Sequence, residues 1–159
     1  MKRLLLICLV FLGVALTVKA NGEPDFASKY LMLYGQTYDI DCKTISPQMM
    51  ERILSGVAGS EDENTRRVLS QIKSIRILTT EPNTCQAKTL FEKAEELAAQ
   101  NKRRYSVYSQ AHGQNIYVRR RGKQFLELVV VKQKEDRTFY MLNLTGYLSD
   151  NFLQQVLKM

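Results

Sequence analysis

Two aspartates are the carboxylates whose spacing could support acid–base catalysis. Asp39 and Asp41 are two residues apart in an alternating segment, so both carboxylates fall on one face of a predicted strand. Such a pair can serve a hydrolase of the glycosidase type if a cleft holds the two groups at the right separation. The solvent-facing side of a half-buried strand explains the same pattern without any chemistry. A small carboxylate-dependent hydrolase is therefore kept as an alternative hypothesis.

His112 is the only imidazole in the chain. A serine or cysteine nucleophile needs a general base within reach of its hydroxyl or thiol, but His112 precedes Gly113 in a predicted, solvated hairpin turn. A single histidine and three cysteines exclude two-histidine and four-cysteine metal sites. The chain also lacks a glycine-rich phosphate loop, an HExxH motif and an EF-hand loop. We therefore expect no catalytic residue, no metal and no cofactor.

The sharpest surface feature is a basic hairpin formed by Arg119, Arg120, Arg121 and Lys123. Strand alternation predicts that four side chains share one face: Tyr117, Arg119, Arg121 and Lys123. Arginine combined with tyrosine suits the recognition of phosphate, sulfate or carboxylate groups. A solvated hairpin tip that discourages edge-to-edge pairing explains these residues equally simply. Binding of a protein partner or an anionic surface at these four residues is therefore a hypothesis.

The first twenty residues have the pattern of a secretory signal peptide. Lys2 and Arg3 precede an apolar run over 4–18, and small residues allow cleavage after Ala20. The run is shorter than the roughly 20 residues that a membrane-spanning helix needs. We predict a signal peptide over 1–20, one domain over 21–159, and a location in the periplasm or elsewhere in the cell envelope. Export makes nucleic acid a poor partner and favours anionic glycans or lipid headgroups.

Removing the signal changes the net charge of the chain and the number of its cysteines. The 159-residue chain has a formal net charge of +7, but three of its positive charges and Cys8 lie in the predicted signal. Cys42 and Cys85 remain, and in an oxidising compartment they can form one disulfide. Two separate buried thiols are the alternative. A CxxC motif is absent, which argues against thiol redox chemistry.

The apolar pattern places helices first and strands later along the chain. Helical spacing predicts helices over 24–33 and 149–157, and three more that begin at Ser46, Ser60 and Asn83. The third of these ends in a basic segment, 102–104, which suits the negative end of the helix dipole. Alternating patterns predict strands over 38–45, 76–80, 105–110, 115–121, 123–133 and 138–145.

Short connections make the last four predicted strands an antiparallel meander. The strand over 123–133 is apolar on both faces for much of its length, which is typical of a central strand covered on both sides. The apolar content of 45% and charged content of 25% are those of a globular domain and exclude collagen-like and disordered chains. The predicted fold class is α+β, with an antiparallel β meander and helices packed on at least one face.

Four segments, in this order, resemble a bacterial family of domains of unknown function, DUF4252. They are Asp-Phe-Ala-Ser-Lys-Tyr at 25–30, Ile-Ser-Pro-Gln-Met-Met at 45–50, Ile-Arg-Ile-Leu at 75–78 and Leu-Asn-Leu-Thr-Gly-Tyr-Leu-Ser at 142–149. The resemblance implies a small exported protein of the Gram-negative envelope, often a lipoprotein in that family, and no catalytic assignment. This chain departs from the family by lacking a usable lipobox cysteine, which argues against a lipid anchor.

These observations predict an exported envelope protein that is not an enzyme. We expect a binding or interaction domain for a protein partner or an anionic surface, with Arg119, Arg121, Lys123 and Tyr117 as the binding residues. The carboxylate-dependent hydrolase acting on envelope material stays the alternative.

Overall fold

The computed structural model describes residues 23–56, 63–111 and 113–157. The predicted signal peptide, the cap residue Ser60 and His112 lie outside these ranges. The described helices are α1 (Phe26–Tyr34), α2 (Pro47–Gly56), α3 (Glu63–Leu69), α4 (Ala87–Gln100) and α5 (Asp150–Leu157). The described strands are β1 (Asp41–Ile45), β2 (Ile72–Thr79), β3 (Ser106–Ala111), β4 (Gln114–Arg121), β5 (Gln124–Gln133) and β6 (Phe139–Leu148).

The strands form one antiparallel sheet in the order β1-β2-β6-β5-β4-β3. Strands β3 to β6 follow one another as hairpins, which confirms the predicted meander. Strand β2 extends it by pairing with β6, and β1 pairs with β2 at the edge. The α+β fold class predicted from the sequence is therefore correct. No helix among the described residues has both the length and the apolar character needed to cross a membrane.

Helices cover both faces of the sheet, so the domain has two hydrophobic cores. On one face, α1 and α4 pack Phe26, Tyr30 and Leu90 against the sheet. On the other face, α2 and α5 contribute Met50 and Phe152. Strand β5 lies between the two cores and supplies Val129 and Val131 to the first, and Leu128 and Val130 to the second. Burial on both faces explains its nearly continuous apolar sequence.

Long-range pairing changes three of the predicted elements. Ile72 and Ile75 fit a helical stripe, but they lie on β2 because β6 supplies hydrogen bonds along this whole segment. Asn83 does not cap α4: its backbone has φ 62, and its N–H donates to the carbonyl oxygen of Asp136 at 2.8 Å. Strand β1, predicted to be half-buried, is mostly exposed because it is an edge strand.

A β-bulge at Leu126 changes which side chains share a face of β5. Arg119 pairs with Glu127, whereas the next residue of β4, Arg120, pairs with Phe125. The extra residue moves Phe125 to the face that carries α2 and α5, while Glu127 points to the face that carries α1. Simple strand alternation predicts that Phe125 and Glu127 lie on one face, and this prediction is wrong here because a bulge inserts one unpaired residue.

Candidate anion-binding site

One end of the sheet carries a cleft of about 640 Å³ whose walls are strongly basic. We call it the basic cleft and define it by six cations: Lys102, Arg103, Arg104, Arg119, Arg120 and Arg121. In the described part of the chain, Glu23 is the one acidic residue that lines it. Charges of one sign in a concave surface produce a positive potential that attracts anions.

Two separate segments of the chain meet in the basic cleft. The segment 102–104 follows the last turn of α4 and leads into β3. The segment 119–121 is the end of β4, and β3 pairs with β4 so that Ser106 faces Val118. The β3–β4 pairing therefore brings together two basic segments that are separated along the sequence. From the sequence, 102–104 is predicted only as the basic end of a helix, so this segment is not among the predicted binding residues.

Glu127 lies beneath the basic cleft, fully buried, and accepts four hydrogen bonds. Its Oε1 accepts from the backbone N–H of Phe26 at 2.7 Å and from Nδ2 of Asn143 at 3.0 Å. Its Oε2 accepts from the hydroxyl of Tyr105 at 3.0 Å and from Nε of Arg119 at 2.9 Å. A buried carboxylate is tolerated when its oxygens are paired in this way.

This buried network attaches the beginning of α1 to the sheet. Asn143 Oδ1 accepts from the N–H of Ala27 at 2.9 Å, beside the bond from Phe26 to Glu127. Asp25, the N-cap residue, accepts from the N–H of Ser28 at 2.7 Å. The first N–H groups of a helix lack partners inside the helix, and negative groups there are favourable. The network thus fixes the chain just after Glu23 beside the basic cleft.

Arg119 is a structural residue as well as a wall of the cleft. Its ion pair with Glu127 connects a partly exposed guanidinium, with 29% of the side chain accessible, to a carboxylate with none. Removing Arg119 would leave a buried charge with one partner fewer, which is costly. Of the three predicted binding cations, Arg119 is therefore the one whose substitution would perturb the fold.

Tyr117, predicted to be an exposed binding residue, is buried. Only 3% of it is accessible, and its ring stacks on Phe26 with centroids 6.0 Å apart. Alternation correctly puts Tyr117 and Arg119 on one face, but α1 covers that face at Tyr117. Burial, with a smaller contribution from Glu95, raises the pKa of the Tyr117 phenol to about 12. Tyr117 is removed from the candidate site because a ligand at the surface cannot reach it.

The remaining cations divide into those with partners and those that face solvent. Arg104 bonds Glu23 at 2.7 Å and also donates to the carbonyl oxygen of Pro24 at 3.0 Å. The guanidinium of Arg120 lies over the Phe125 ring, 4.2 Å from its centroid. By contrast, four exposed cations form neither an ion pair nor a cation–π contact with the described residues: Lys102, Arg103, Arg121 and Lys123. These four are the side chains available to an anion.

The two predicted carboxylates are both exposed. Asp39 precedes β1, and Asp41 is the first residue of that edge strand. Neither lines the basic cleft or the other clefts described below. Asp39 and Asp41 therefore do not lie together in one of these clefts, as the hydrolase alternative requires.

Cys42 and Cys85 are not bridged in the structure. Both are free and exposed, so the expectation of a disulfide and the alternative of two buried thiols are both corrected. Cys42 lies on the edge strand β1, and Cys85 lies in the loop before α4. Within 23–56, 63–111 and 113–157, no group of three or more acidic, histidine or cysteine side chains could hold a metal ion.

Sequence reasoning missed Glu127, although the sequence contains a signal for it. Glu127 is the one charged residue in the apolar run from Phe125 to Val131. A charge in a strand that is covered on both faces must be buried with partners. That rule identifies Glu127 as a network residue, but it does not identify Phe26, Tyr105 and Asn143 as its partners.

Two comparisons with known proteins bear on the chain. A family model described as a domain of unknown function (DUF4252) matches residues 34–156, which is well over half of the chain. The match covers α2 to α4 and all six strands, and it includes the two basic segments of the cleft. Among curated proteins, none matches the chain.

Proposed function

The chain belongs to the DUF4252 family, and from that premise we propose that it is an exported, non-catalytic envelope domain that binds an anionic partner in the basic cleft. One observation carries the proposal: six cations from two distant segments line a single cleft with one acidic residue, Glu23. Four of these cations are exposed and form no ion pair with the described residues: Lys102, Arg103, Arg120 and Arg121. Arg120 lies over the Phe125 ring, which leaves Lys102, Arg103 and Arg121 available to a ligand.

The chemistry of these side chains favours a ligand with several negative groups. Arginine presents a planar fork of donors that matches phosphate, sulfate and carboxylate oxygens. Arg103 and Arg121 line the cleft from two different segments, one after α4 and the other at the end of β4. A ligand with several negative groups can contact both segments, so a polyanion should bind better than a single small ion.

The surroundings of the acidic residues support a binding role. Glu127 is fully occupied by four internal donors, and Asp25 is bonded to Ser28 and paired with Arg76 at 3.4 Å. Both carboxylates therefore have structural partners. Asp39 and Asp41 are exposed and far from the cleft along the chain. The signal-peptide pattern of residues 1–20 supports export and therefore a ligand from the envelope.

The test removes the exposed cations without touching the Glu127 network. We expect the triple variant K102S/R103S/R121S to elute from a heparin column at clearly lower salt than the unaltered protein, because ionic contacts are lost. The matched control is K88S/K132S/K134S, which removes the same charge from a cleft at the opposite end of the sheet. This control should elute close to the unaltered protein.

Elution of the two triple variants at the same salt concentration would show that retention follows net charge. The proposal that the basic cleft binds the anion would then be overturned. Unchanged retention of K102S/R103S/R121S would also overturn the proposal. Thermal unfolding followed by circular dichroism verifies that both variants are folded before elution is compared.

A further inference from the structure

Three clefts at the basic end of the sheet share walls and form one continuous surface. Arg119 and Leu126 line both the basic cleft and a neighbouring cleft of about 400 Å³, which also contains Lys73 and Arg76. Tyr147 lines that neighbour and a third cleft of about 390 Å³. The third cleft contains Arg121 and Lys123, and Arg121 also lines the basic cleft. Nine cations therefore surround this surface: Lys73, Arg76, Lys102, Arg103, Arg104, Arg119, Arg120, Arg121 and Lys123.

Tyr147 is a large aromatic side chain exposed within this charged surface. Its accessible fraction is 68%, among the largest of the apolar and aromatic residues in the described chain. Its backbone is fixed, because its N–H donates to the carbonyl oxygen of Gln71 at 2.9 Å. A side chain at the preceding Gly146 would collide with that same oxygen, so only glycine allows this close approach of β6 to β2. The ring therefore projects from a rigid position.

Three acidic residues in the described part of the chain line this surface, and two of them have internal partners. Glu23 pairs with Arg104, and Asp25 pairs with Arg76 and caps α1. Asp150 lies in the first turn of α5, where the helix dipole favours a negative charge. The exposed cations Lys73, Lys102, Arg103, Arg121 and Lys123 are thus left to interact with negative charges outside the molecule.

We propose that this end of the sheet docks on the surface of a bilayer that contains anionic phospholipids, with Tyr147 inserted among the headgroups. The inference rests on the proposed function of the basic cleft and names its partner. Lysine and arginine are attracted to anionic lipid headgroups, and the attraction decays within a Debye length of the surface. Tyrosine has an apolar ring and a polar hydroxyl, which suits the boundary between headgroups and water.

Two observations favour a bilayer over a dissolved polyanion. The cations are distributed over three adjoining clefts instead of converging on one point, which matches an array of phosphates. The apolar ring of Tyr147 stays exposed to water when a sulfated or phosphorylated chain offers only charge and hydrogen bonds, whereas a lipid interface buries part of that apolar surface. Charge and aromatic contact therefore point to the same partner.

The absence of tryptophan from the chain permits a direct test. In the variant Tyr147→Trp, the single tryptophan reports the environment of position 147. We expect its emission to shift to the blue when vesicles of equal parts phosphatidylcholine and phosphatidylglycerol are added, and to stay unchanged with phosphatidylcholine alone. The matched control is Met32→Trp on α1, also highly exposed at 76% but outside the three clefts. Its emission should not respond to either vesicle.

A second variant tests the contribution of the ring. We expect Tyr147→Ser to bind the mixed vesicles at least about threefold more weakly in a sedimentation assay, because apolar burial is lost. Its retention on heparin should be unchanged, because no charge is removed. If the unaltered protein is retained on heparin but does not bind the mixed vesicles, and the Tyr147→Trp emission does not shift, the bilayer proposal is overturned and the proposed anion site is left intact. If the unaltered protein binds neither heparin nor the mixed vesicles, both proposals are overturned.

Discussion

The two ends of the sheet carry similar numbers of charged residues but arrange them differently. At the end opposite the basic cleft lies a cleft of about 1040 Å³, which we call the balanced cleft. It is lined by four bases and four acids: Lys88, Lys132, Lys134 and Arg137, with Glu92, Glu95, Glu135 and Asp136. The basic cleft has six bases and one acid. The formal net charge of +7 predicts neither arrangement, since local placement decides which surface attracts anions.

The location of the acids explains the difference. At the balanced cleft they remain at the surface near the bases, as in the i,i+4 pair of Lys88 and Glu92 at 3.8 Å. At the basic end, Glu127 lies in the interior, where its oxygens accept from four internal donors. Glu127 forms an ion pair with one of the six cations of the basic cleft, Arg119. The network that stabilises the fold therefore also leaves the basic cleft positive.

The largest effect should come from breaking that network. We expect Glu127→Gln to lower the free energy of unfolding by about 3 kcal/mol, because the amide group faces donors and a buried charge pair is lost. Glu95→Gln is the matched change at the balanced cleft, where Glu95 accepts one hydrogen bond, from Asn115 at 2.7 Å. Its cost should be below about 1 kcal/mol. Urea denaturation measures both, and equal losses would remove the distinction between the two ends.

A smaller change in the free energy of unfolding is expected from the titration of the buried tyrosines at high pH. Burial and then the Glu127 carboxylate raise the pKa of Tyr105, and Arg104 and Arg119 oppose only part of that rise. At Tyr117, burial and then Glu95 raise the pKa. An unfolded tyrosine titrates near 10.0, and folded Tyr117 keeps its proton to about 12. Between these values the unfolded state binds fewer protons, so the free energy of unfolding falls as the pH rises.

The variant Tyr117→Phe tests this contribution because it retains the ring and lacks the titrating hydroxyl. We expect its free energy of unfolding to fall less between pH 9 and pH 11, by about 1 kcal/mol, than that of the unaltered protein. Urea denaturation at the two pH values provides the comparison. Identical declines in the two proteins would show that Tyr117 does not titrate in this way.

The smallest effect should come from the acid that lines the basic cleft. Glu23 forms an ion pair with Arg104 at 2.7 Å and so competes with an external anion for that cation. We expect Glu23→Gln to increase affinity for heparin about twofold, since an exposed ion pair is worth little. Glu135→Gln makes the same charge change at the balanced cleft and should leave the affinity unchanged. An equal increase in both variants would mean that net charge alone is responsible.

Much of the fold follows from local patterns in the sequence. The turns around Gly113 and Gly122 predict the hairpins that join β3, β4 and β5, and both glycines adopt positive φ angles of 71 and 61. Ser46 and Pro47 predict the beginning of α2, where Ser46 Oγ accepts from the N–H of Met49 at 3.3 Å. These features depend on neighbours a few residues away, so spacing and residue type suffice to predict them.

The candidate site is only partly predictable. The sequence identifies Arg119, Arg121 and Lys123 as a basic hairpin, and the structure places Arg119 and Arg121 in the basic cleft. It does not reveal that Tyr117 is covered by α1. Burial of Tyr117 depends on Phe26, which is distant in sequence and contacts it only after α1 has packed on the sheet.

By itself, the sequence determines the antiparallel meander, the α+β class and the excess of positive charge at one hairpin. These properties result from alternation, helical spacing and turn residues, which act over short distances along the chain. The tertiary structure alone determines which four donors bond Glu127 and that the segment 102–104 joins the segment 119–121. Both depend on contacts between residues far apart in sequence, which form only when the helices and the sheet pack together.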